Sequence, residues 1–357
     1  MYREIRTEVP RVPNLMQIFS LRPETMEGVY RLWMSLMWSG RVPRTLKEAL
    51  AVAIAQAARC DYCADAHLIY MIAAGVDRDK AWDIASRQDL AEGLSEPERE
   101  ALRFAVRLTR EPRTIKNAER AEFAAAWPSV EQRVELAAVI AGFNSVTRLA
   151  NALGVASEIP GPLRRFQAGR RSAIAMLGRL TAMSLDLSEK PVPAQPPEHN
   201  RLAMRQLFLD QLGFASLPPG FELMEACPEV FDGQLRTIRK AVAVMPRDRW
   251  MRVGLVVARL TGCEYFATHC GDWLSARGEL PADVIAASEG SPCSLPDCEH
   301  ACLRFARDFS LHSHTLGEDR TRELRRLGLS DGAILDLAYV TATFHGMVRL
   351  VLGLSPF

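Results

Sequence analysis

The chain has 357 residues, of which 48% are hydrophobic and 24% charged, and its formal net charge is +1. This length suits two domains, and the near-zero charge excludes a general attraction to nucleic acid or to a membrane surface. The N-terminus has no apolar signal core and no apolar run reaches transmembrane length, so we expect a cytoplasmic protein. A local basic stretch, which we interpret as a solvated helix face, consists of Arg164, Arg165, Arg170, Arg171 and Arg179.

In chain order, the first strong signal is a helical run followed by two cysteines. Residues 45–55 read as a helix that carries Glu48, and the run CDYCADAH follows at 60–67. Cysteines three apart at a helix start occupy neighbouring positions of one face, and His67 is one turn beyond Cys63. Twelve residues separate Glu48 from Cys60, a little over three helical turns, so we expect the carboxylate to face the thiols.

Three interpretations of Cys60 and Cys63 remain open. A redox dithiol is favoured, because an attacking sulfur needs a base and a neighbouring thiol can resolve its oxidised form. A metal site would use Glu48 and His67 as further ligands. A buried structural pair would leave that histidine and glutamate unexplained, and eight cysteines are too few for a disulfide scaffold in so long a chain.

The later segments also read as helices, and strand patterns are scarce. Ser95 and Ser330 are candidate N-caps, and apolar residues recur at helical spacing within 134–140 and 334–340. Residues 189–198 are rich in proline and poor in apolar anchors, which is typical of a semi-rigid linker. We therefore divide the chain into domains at 1–188 and 199–357.

The two domains repeat one another with an offset of about two hundred residues. The matches occur in the same order in both halves and indicate a duplicated domain. They pair Pro43-Arg44 with Pro246-Arg247, Cys60-Asp61-Tyr62 with Cys263-Glu264-Tyr265, Gly75 with Gly278, Leu102-Arg103-Phe104-Ala105 with Leu303-Arg304-Phe305-Ala306, Thr114 with Thr315, and Arg148-Leu149 with Arg349-Leu350.

The spacing Glu48, Cys60-x-x-Cys63, His67 resembles the superfamily of the alkylhydroperoxidase AhpD and carboxymuconolactone decarboxylase, in particular its peroxidase-related branch. The likeness covers residues from about 10 to 157, including FNSVTRLANALG at 143–154. Tyr62 is a departure, since the best-studied AhpD proteins have a second histidine there. The resemblance implies an all-α protein of two tandem AhpD-like helical domains packed as a pseudo-dimer, and a homo-oligomer built from such chains.

The resemblance also implies a dithiol-dependent alkylhydroperoxidase or disulfide oxidoreductase, an antioxidant enzyme without cofactor or metal. Cys63 is the expected attacking thiol because it is one turn from His67, with Glu48 and His67 as the proton relay and Cys60 as the resolving thiol. Tyr62, Asn144 and Arg148 are possible accessory residues, although the last two could equally belong to the core. The implied reductant is a lipoyl-bearing protein or a small dithiol, and the Cys60–Cys63 pair could instead pass electrons to a peroxiredoxin partner.

Two other classes of function remain open. The decarboxylases of the superfamily lack the dithiol, and a duplicated chain could be a specialised biosynthetic enzyme acting on a small organic acid. It could also be a non-catalytic binding protein.

The second domain has lost most of the motif. In the aligned repeat, Met251 replaces Glu48, Phe266 replaces Cys63 and Cys270 replaces His67. Of the four motif residues, only Cys60 is retained, as Cys263. Cys263 and Cys270 are two helical turns apart, too far for an unstrained disulfide. We expect this half to support structure.

A second group of cysteines and histidines lies at 293–314. Thiolates and imidazoles are zinc ligands, but this group has no Cys-x-x-Cys knuckle, so we do not expect a zinc site. Its members are Cys293, Cys298, His300, Cys302, His312 and His314. Cys227, which precedes Pro228, is expected to be a helix-start residue.

Overall fold

The computed structural model describes residues 2–8, 12–187 and 194–355, and in these ranges the chain forms helices and turns without a strand. The predicted all-α class is therefore confirmed. The α-helices are α1 Tyr2–Glu8, α2 Asn14–Ile18, α3 Pro23–Met37, α4 Arg44–Ala57, α5 Asp61–Ala73, α6 Arg78–Arg87, α7 Glu96–Arg110, α8 Asn117–Ala126, α9 Val130–Ala152, α10 Gly161–Arg164, α11 Gln167–Ser184, α12 Pro197–Arg205, α13 Pro228–Ala243, α14 Arg247–Thr261, α15 Glu264–Ser275, α16 Pro281–Glu289, α17 Asp297–His312, α18 Glu318–Arg326 and α19 Asp331–Leu354. A π-helical turn at Gln206–Gln211 extends α12, and short 3₁₀ turns occupy Phe19–Leu21, Gln88–Leu90, Pro112–Thr114, Phe221–Ala226 and Ser313–Thr315.

Local sequence signals explain where several helices begin. Ser95 precedes α7, and its backbone N–H donates to Glu98 Oε2 at 2.8 Å, as in a capping box. The hydroxyl of Ser330 accepts the N–H of Ala333 at the start of α19. The predicted linker at 189–198 lies partly outside the described residues, and its last two residues, Pro197 and Glu198, open α12.

The order of helices in the first half recurs in the second. Helices α3 to α9 have their counterparts in α13 to α19, with a 3₁₀ turn after both α7 and α17. Equivalent helices also pack against each other, α3 against α13 and α9 against α19. Contacts between equivalent elements are what a two-fold dimer interface produces, so the chain is a pseudo-dimer of two duplicated helical units.

Gly28 of α3 and Gly233 of α13 show the symmetry of this interface at single residues. They hold equivalent positions in their helices, and a Cβ on either glycine would collide with a side chain of the other half, Tyr339 and Ser35 respectively. The absence of a side chain at both positions lets the two helices approach closely.

The longest helix, α19, lies in the core between the halves. Among the described residues it is the one helix long and apolar enough to cross a membrane, and 89% of its most apolar window is buried inside the protein. Its apolar surface is therefore used to pack against α9, α14 and α17.

Candidate active site

The two cysteines lie at the junction between α4 and α5. The chain leaves α4 at Ala57, and Arg59 adopts a positive φ of 55° in the turn. Cys60 is the N-cap of α5, and its Sγ accepts the backbone N–H of Cys63 at 3.5 Å. Because α4 and α5 are separate helices, helical periodicity does not carry Glu48 to the thiols as the sequence spacing suggested. The packing of α4 against α5 instead brings Glu48 to His67.

Glu48 contacts two ionisable side chains, Arg44 of its own helix and His67 of α5. His67 Nδ1 lies 2.6 Å from Glu48 Oε2, and Arg44 Nε donates to Glu48 Oε1 at 2.6 Å. All three side chains are buried. With Nδ1 held by the carboxylate, the ring nitrogen of His67 that remains for proton exchange is Nε2.

Electrostatics keep Glu48 ionised although it is fully buried. Burial alone would raise the pKa of this carboxyl, but the charges of Arg44 and His67 and their hydrogen bonds outweigh it and hold the pKa below its ordinary value. An ionised Glu48 can stabilise the positive charge that His67 acquires when it takes a proton.

Cys63 is a neutral thiol in the resting site. Its hydrogen bond with the Cys60 sulfur, together with burial, raises the pKa of Cys63 well above the ordinary value. The thiol therefore needs a base in order to react, and His67 is the neighbouring candidate.

A cavity of about 330 Å³ opens beside Cys63 and His67. Both residues line it, whereas Cys60 does not. Tyr62, Tyr70 and Glu158 are at the same polar end, and most of the other lining side chains, from α2, α3, α5, α9 and α11, are apolar. Of the two thiols, Cys63 is thus the one that a molecule in the cavity would meet.

Tyr62 is buried in the cavity wall, and its hydroxyl oxygen accepts the N–H of Leu15 at 3.4 Å. Burial and the nearby charge of Glu158 raise the pKa of Tyr62 well above its ordinary value. The phenol stays protonated and can donate a hydrogen bond into the cavity.

Asn144 and Arg148 lie elsewhere, in the core. Asn144 Nδ2 donates to Thr109 Oγ1 at 2.9 Å, and Arg148 Nη1 donates to Asn144 Oδ1 at 2.7 Å. Neither residue is among those that line the cavity; their α9 neighbours Gly142, Phe143 and Val146 are. The structure thus places both residues in the core, which was the alternative to a pocket role.

The equivalent place in the second half is filled. Phe266, at the position of Cys63, sits in an aromatic cluster whose other members are Phe208, Phe214, Tyr265 and Phe344. Cys263 is the N-cap of α15, and burial raises its pKa to about 11. Burial likewise raises the pKa of Cys270. These neutral thiols pack as core groups.

In the cluster at 293–314, Cys293 Sγ lies 3.1 Å from His300 Nε2, and the side chains of Cys298 and Cys302 contact each other. Within the described ranges, no three Cys, His, Asp or Glu residues are grouped so that they could hold a metal ion. Cys227 is the residue before α13, as expected of a helix-start position.

Sequence reasoning missed two features of this site. Arg44 holds Glu48 from the preceding turn of α4, and its spacing of four residues from Glu48 could have indicated the pair. Helix α11 covers the cavity, held by Arg170 Nε at 2.6 Å from Asp65 Oδ1. No local pattern relates residues 105 positions apart.

Comparisons with known proteins identify the segment that carries the site. The model of the carboxymuconolactone decarboxylase family matches residues 23–107, which contain Glu48, Cys60, Cys63 and His67. An alkyl hydroperoxide reductase of Mycobacterium tuberculosis is 35% identical over 75 residues, 21% of this chain and 22% of that protein. The chain thus spans about a fifth of that relative's length.

A solved structure gives a likeness over a longer stretch. It is the alkylhydroperoxidase AhpD core of an uncharacterized peroxidase-related protein from Ralstonia eutropha, with 21% sequence identity and a TM-score of 0.42. The match covers 50% of this chain and 87% of that one. The segment that carries the site is therefore similar to the carboxymuconolactone decarboxylase family, whose model it matches.

Proposed function

We propose that the first half is a thiol-dependent hydroperoxidase that uses Cys60 and Cys63 as a redox dithiol. The observation that carries this proposal is the arrangement of Cys63 and His67 on one cavity wall, with His67 Nδ1 held 2.6 Å from Glu48 Oε2. A nucleophile, a base and a group that orients the base are the parts that such chemistry needs.

The first step is attack of sulfur on the peroxide. His67 takes the proton of Cys63, and the thiolate attacks the terminal peroxide oxygen and breaks the O–O bond. Cys63 becomes a sulfenic acid, while the alkoxide leaves and takes the proton from His67 as an alcohol. Glu48 stabilises the imidazolium between these two transfers.

The second step closes the disulfide. The Cys60 sulfur attacks the sulfenic sulfur of Cys63, the S–O bond breaks and water leaves. Cys60 is suited to this role because it contacts Cys63 without lining the cavity. An external dithiol then reduces the pair by exchange; a lipoyl-bearing protein, a small dithiol and a peroxiredoxin coupled to the site are the candidate partners. We place this reaction in the cytoplasm, in a homo-oligomer.

The residues that line the cavity give less support to the alternative function, an enzyme that acts on a small organic acid. None of the described residues that line it is a lysine or an arginine, and Arg44, which is buried nearby, is bound to Glu48. A carboxylate substrate would be buried without a counter-charge, which is costly.

The test is titration of thiols with mass spectrometry before and after one equivalent of alkyl hydroperoxide. We expect the loss of two titratable thiols and a Cys60–Cys63 disulfide, and no turnover in Cys63→Ser. Cys293→Ser is the matched control, since this partly exposed thiol lies outside the cavity, and it should behave as wild type. Consumption of peroxide while Cys60 and Cys63 remain reduced would contradict the proposal.

A further inference from the structure

We propose that the hydroperoxide substrate has a single apolar tail of about ten carbon atoms, and that α11 sets the length of that tail. This inference rests on the proposed function, because it takes Cys63 as the point at which the peroxide group reacts. It concerns the part of the cavity that the chemistry does not use.

Polar side chains surround Cys63, whereas most of the other lining side chains are apolar, with Thr181 and Ser184 of α11 as exceptions. Cys63, His67 and Tyr62 are all buried and lie together on α5, whereas Leu32 and Leu36 of α3, Val146 of α9 and Leu177 and Leu180 of α11 line it with hydrocarbon. A substrate with its peroxide at the sulfur must lay its remaining atoms against these apolar side chains. Burial against these side chains stabilises an apolar tail, whereas a polar tail would lose its hydrogen bonds to water there.

Helix α11 forms part of the wall at the apolar end of the cavity and is firmly attached to α5. Gly178 touches α5, where a Cβ would come within 2.8 Å of Ile72, so only glycine allows this close approach. Asp65, buried in α5, accepts from Arg170 at 2.6 Å and pairs with Arg164 at 3.1 Å.

The mouth of the cavity lies on the same helix. Leu180 and Ser184 are the exposed residues among those that line it, and Leu180 is 53% exposed. A tail that extends past Leu180 enters water and gains nothing further from burial. Since a methylene group is about the size of a water molecule, whose share of liquid volume is about 30 Å³, a cavity of 330 Å³ accommodates on the order of ten such groups.

The experiment measures binding without chemistry. Primary n-alkanols from four to fourteen carbons are titrated into full-length Cys63→Ser protein by calorimetry. We expect the affinity to rise about fourfold per methylene, the value for burial of a CH₂ group, and to level off near ten carbons.

Variants on α11 test its role in setting the length. Leu180→Trp narrows the mouth at a half-exposed position that tolerates substitution, and it should move the plateau to shorter alkanols. Met183→Ser is the control, because Met183 is 85% exposed and does not line the cavity; its plateau should not move. A length dependence unaffected by Leu180→Trp would overturn the assignment to α11.

The kinetic series separates this inference from the proposed function. With wild-type protein, kcat/KM for n-alkyl hydroperoxides should follow the same length dependence as alkanol binding. Equal turnover of short and long hydroperoxides, with no alkanol binding, would overturn the tail site and leave the dithiol peroxidase standing. Length-dependent alkanol binding without any peroxide turnover would support the tail site and overturn the peroxidase.

Discussion

His67 Nδ1 lies 2.6 Å from Glu48 Oε2, and both side chains are buried between α4 and α5. This contact orients the imidazole, leaves its second nitrogen available, and holds a negative charge beside it. In the mechanism that we propose, a base arranged in this way lets the neutral thiol of Cys63 react at neutral pH.

Removing either member of this pair should slow the reaction of Cys63. Positioned acid–base groups contribute about a hundredfold or more, so Glu48→Gln and His67→Asn should each reduce the rate of sulfenic acid formation by roughly that factor. Stopped-flow measurement of peroxide consumption under single-turnover conditions checks this. His269→Asn on the equivalent helix of the second half is the control, and wild-type rates in all three variants would remove the pair from the mechanism.

The reactivity of Cys63 should depend on pH in a way that Cys60 controls. The sulfur of Cys60 and burial both raise the pKa of Cys63, so its direct alkylation by iodoacetamide should increase as the pH rises above the ordinary thiol value of about 8.5. Cys60→Ser removes the first of these causes and should shift the increase to lower pH. Peptide mass spectrometry reports alkylation of Cys63 at each pH, and an identical profile in Cys60→Ser would contradict this assignment of cause.

Acid should destabilise the fold through His345 of α19. Burial and the charges of Arg148 and Arg349 hold the pKa of His345 well below 6.5, and Arg349 Nη1 lies 2.9 Å from its Nδ1. The unfolded chain takes up a proton near pH 6.5 and the folded one does not. The free energy of unfolding therefore falls as the pH drops below 6.5, by up to about 1.4 kcal/mol per pH unit from this one group.

His345→Asn isolates this effect, because Asn144 is the natural residue at the equivalent position of α9. The variant should fold and should lose stability less steeply than wild type between pH 6.5 and 5, as measured by urea unfolding. Parallel curves for the two proteins would show that His345 does not titrate on unfolding in this range.

The thiols of the second half should be dispensable for turnover. Cys263 has lost its partner, since Phe266 fills that place within an aromatic cluster, and a lone thiol cannot complete a disulfide cycle. Cys263→Ser and Cys270→Ser should keep at least half of the wild-type turnover in a coupled peroxidase assay. A loss of tenfold or more in Cys263→Ser, with the fold intact by circular dichroism, would show a second catalytic site.

The second half as a whole should nevertheless be required. Helices α13 and α19 cover α3 and α9, and deletion of residues 199–357 would expose this apolar surface and cause aggregation or altered assembly. Size-exclusion chromatography of residues 1–188 checks this. A soluble, monomeric and fully active fragment would be the contrary result.

The sequence by itself determined the helices, the duplication and the motif of the site. Caps such as Ser95 and Ser330 and the apolar periodicity of α9 and α19 act within a few residues, so they can be read without a fold. The spacing of Cys60, Cys63 and His67 lies within one helix and its cap, and it predicts their shared face for the same reason.

Only the tertiary structure decided which residues and helices pack around the site. The sequence shows that Asn144 and Arg148 share a helix side, but the packing of α7 on α9 is what gives them Thr109 rather than the cavity. The cover over Cys63 comes from α11, attached through Asp65 and Arg170, which are 105 residues apart. Local periodicity specifies the apolar face of a helix, whereas its partner depends on how all the faces pack together.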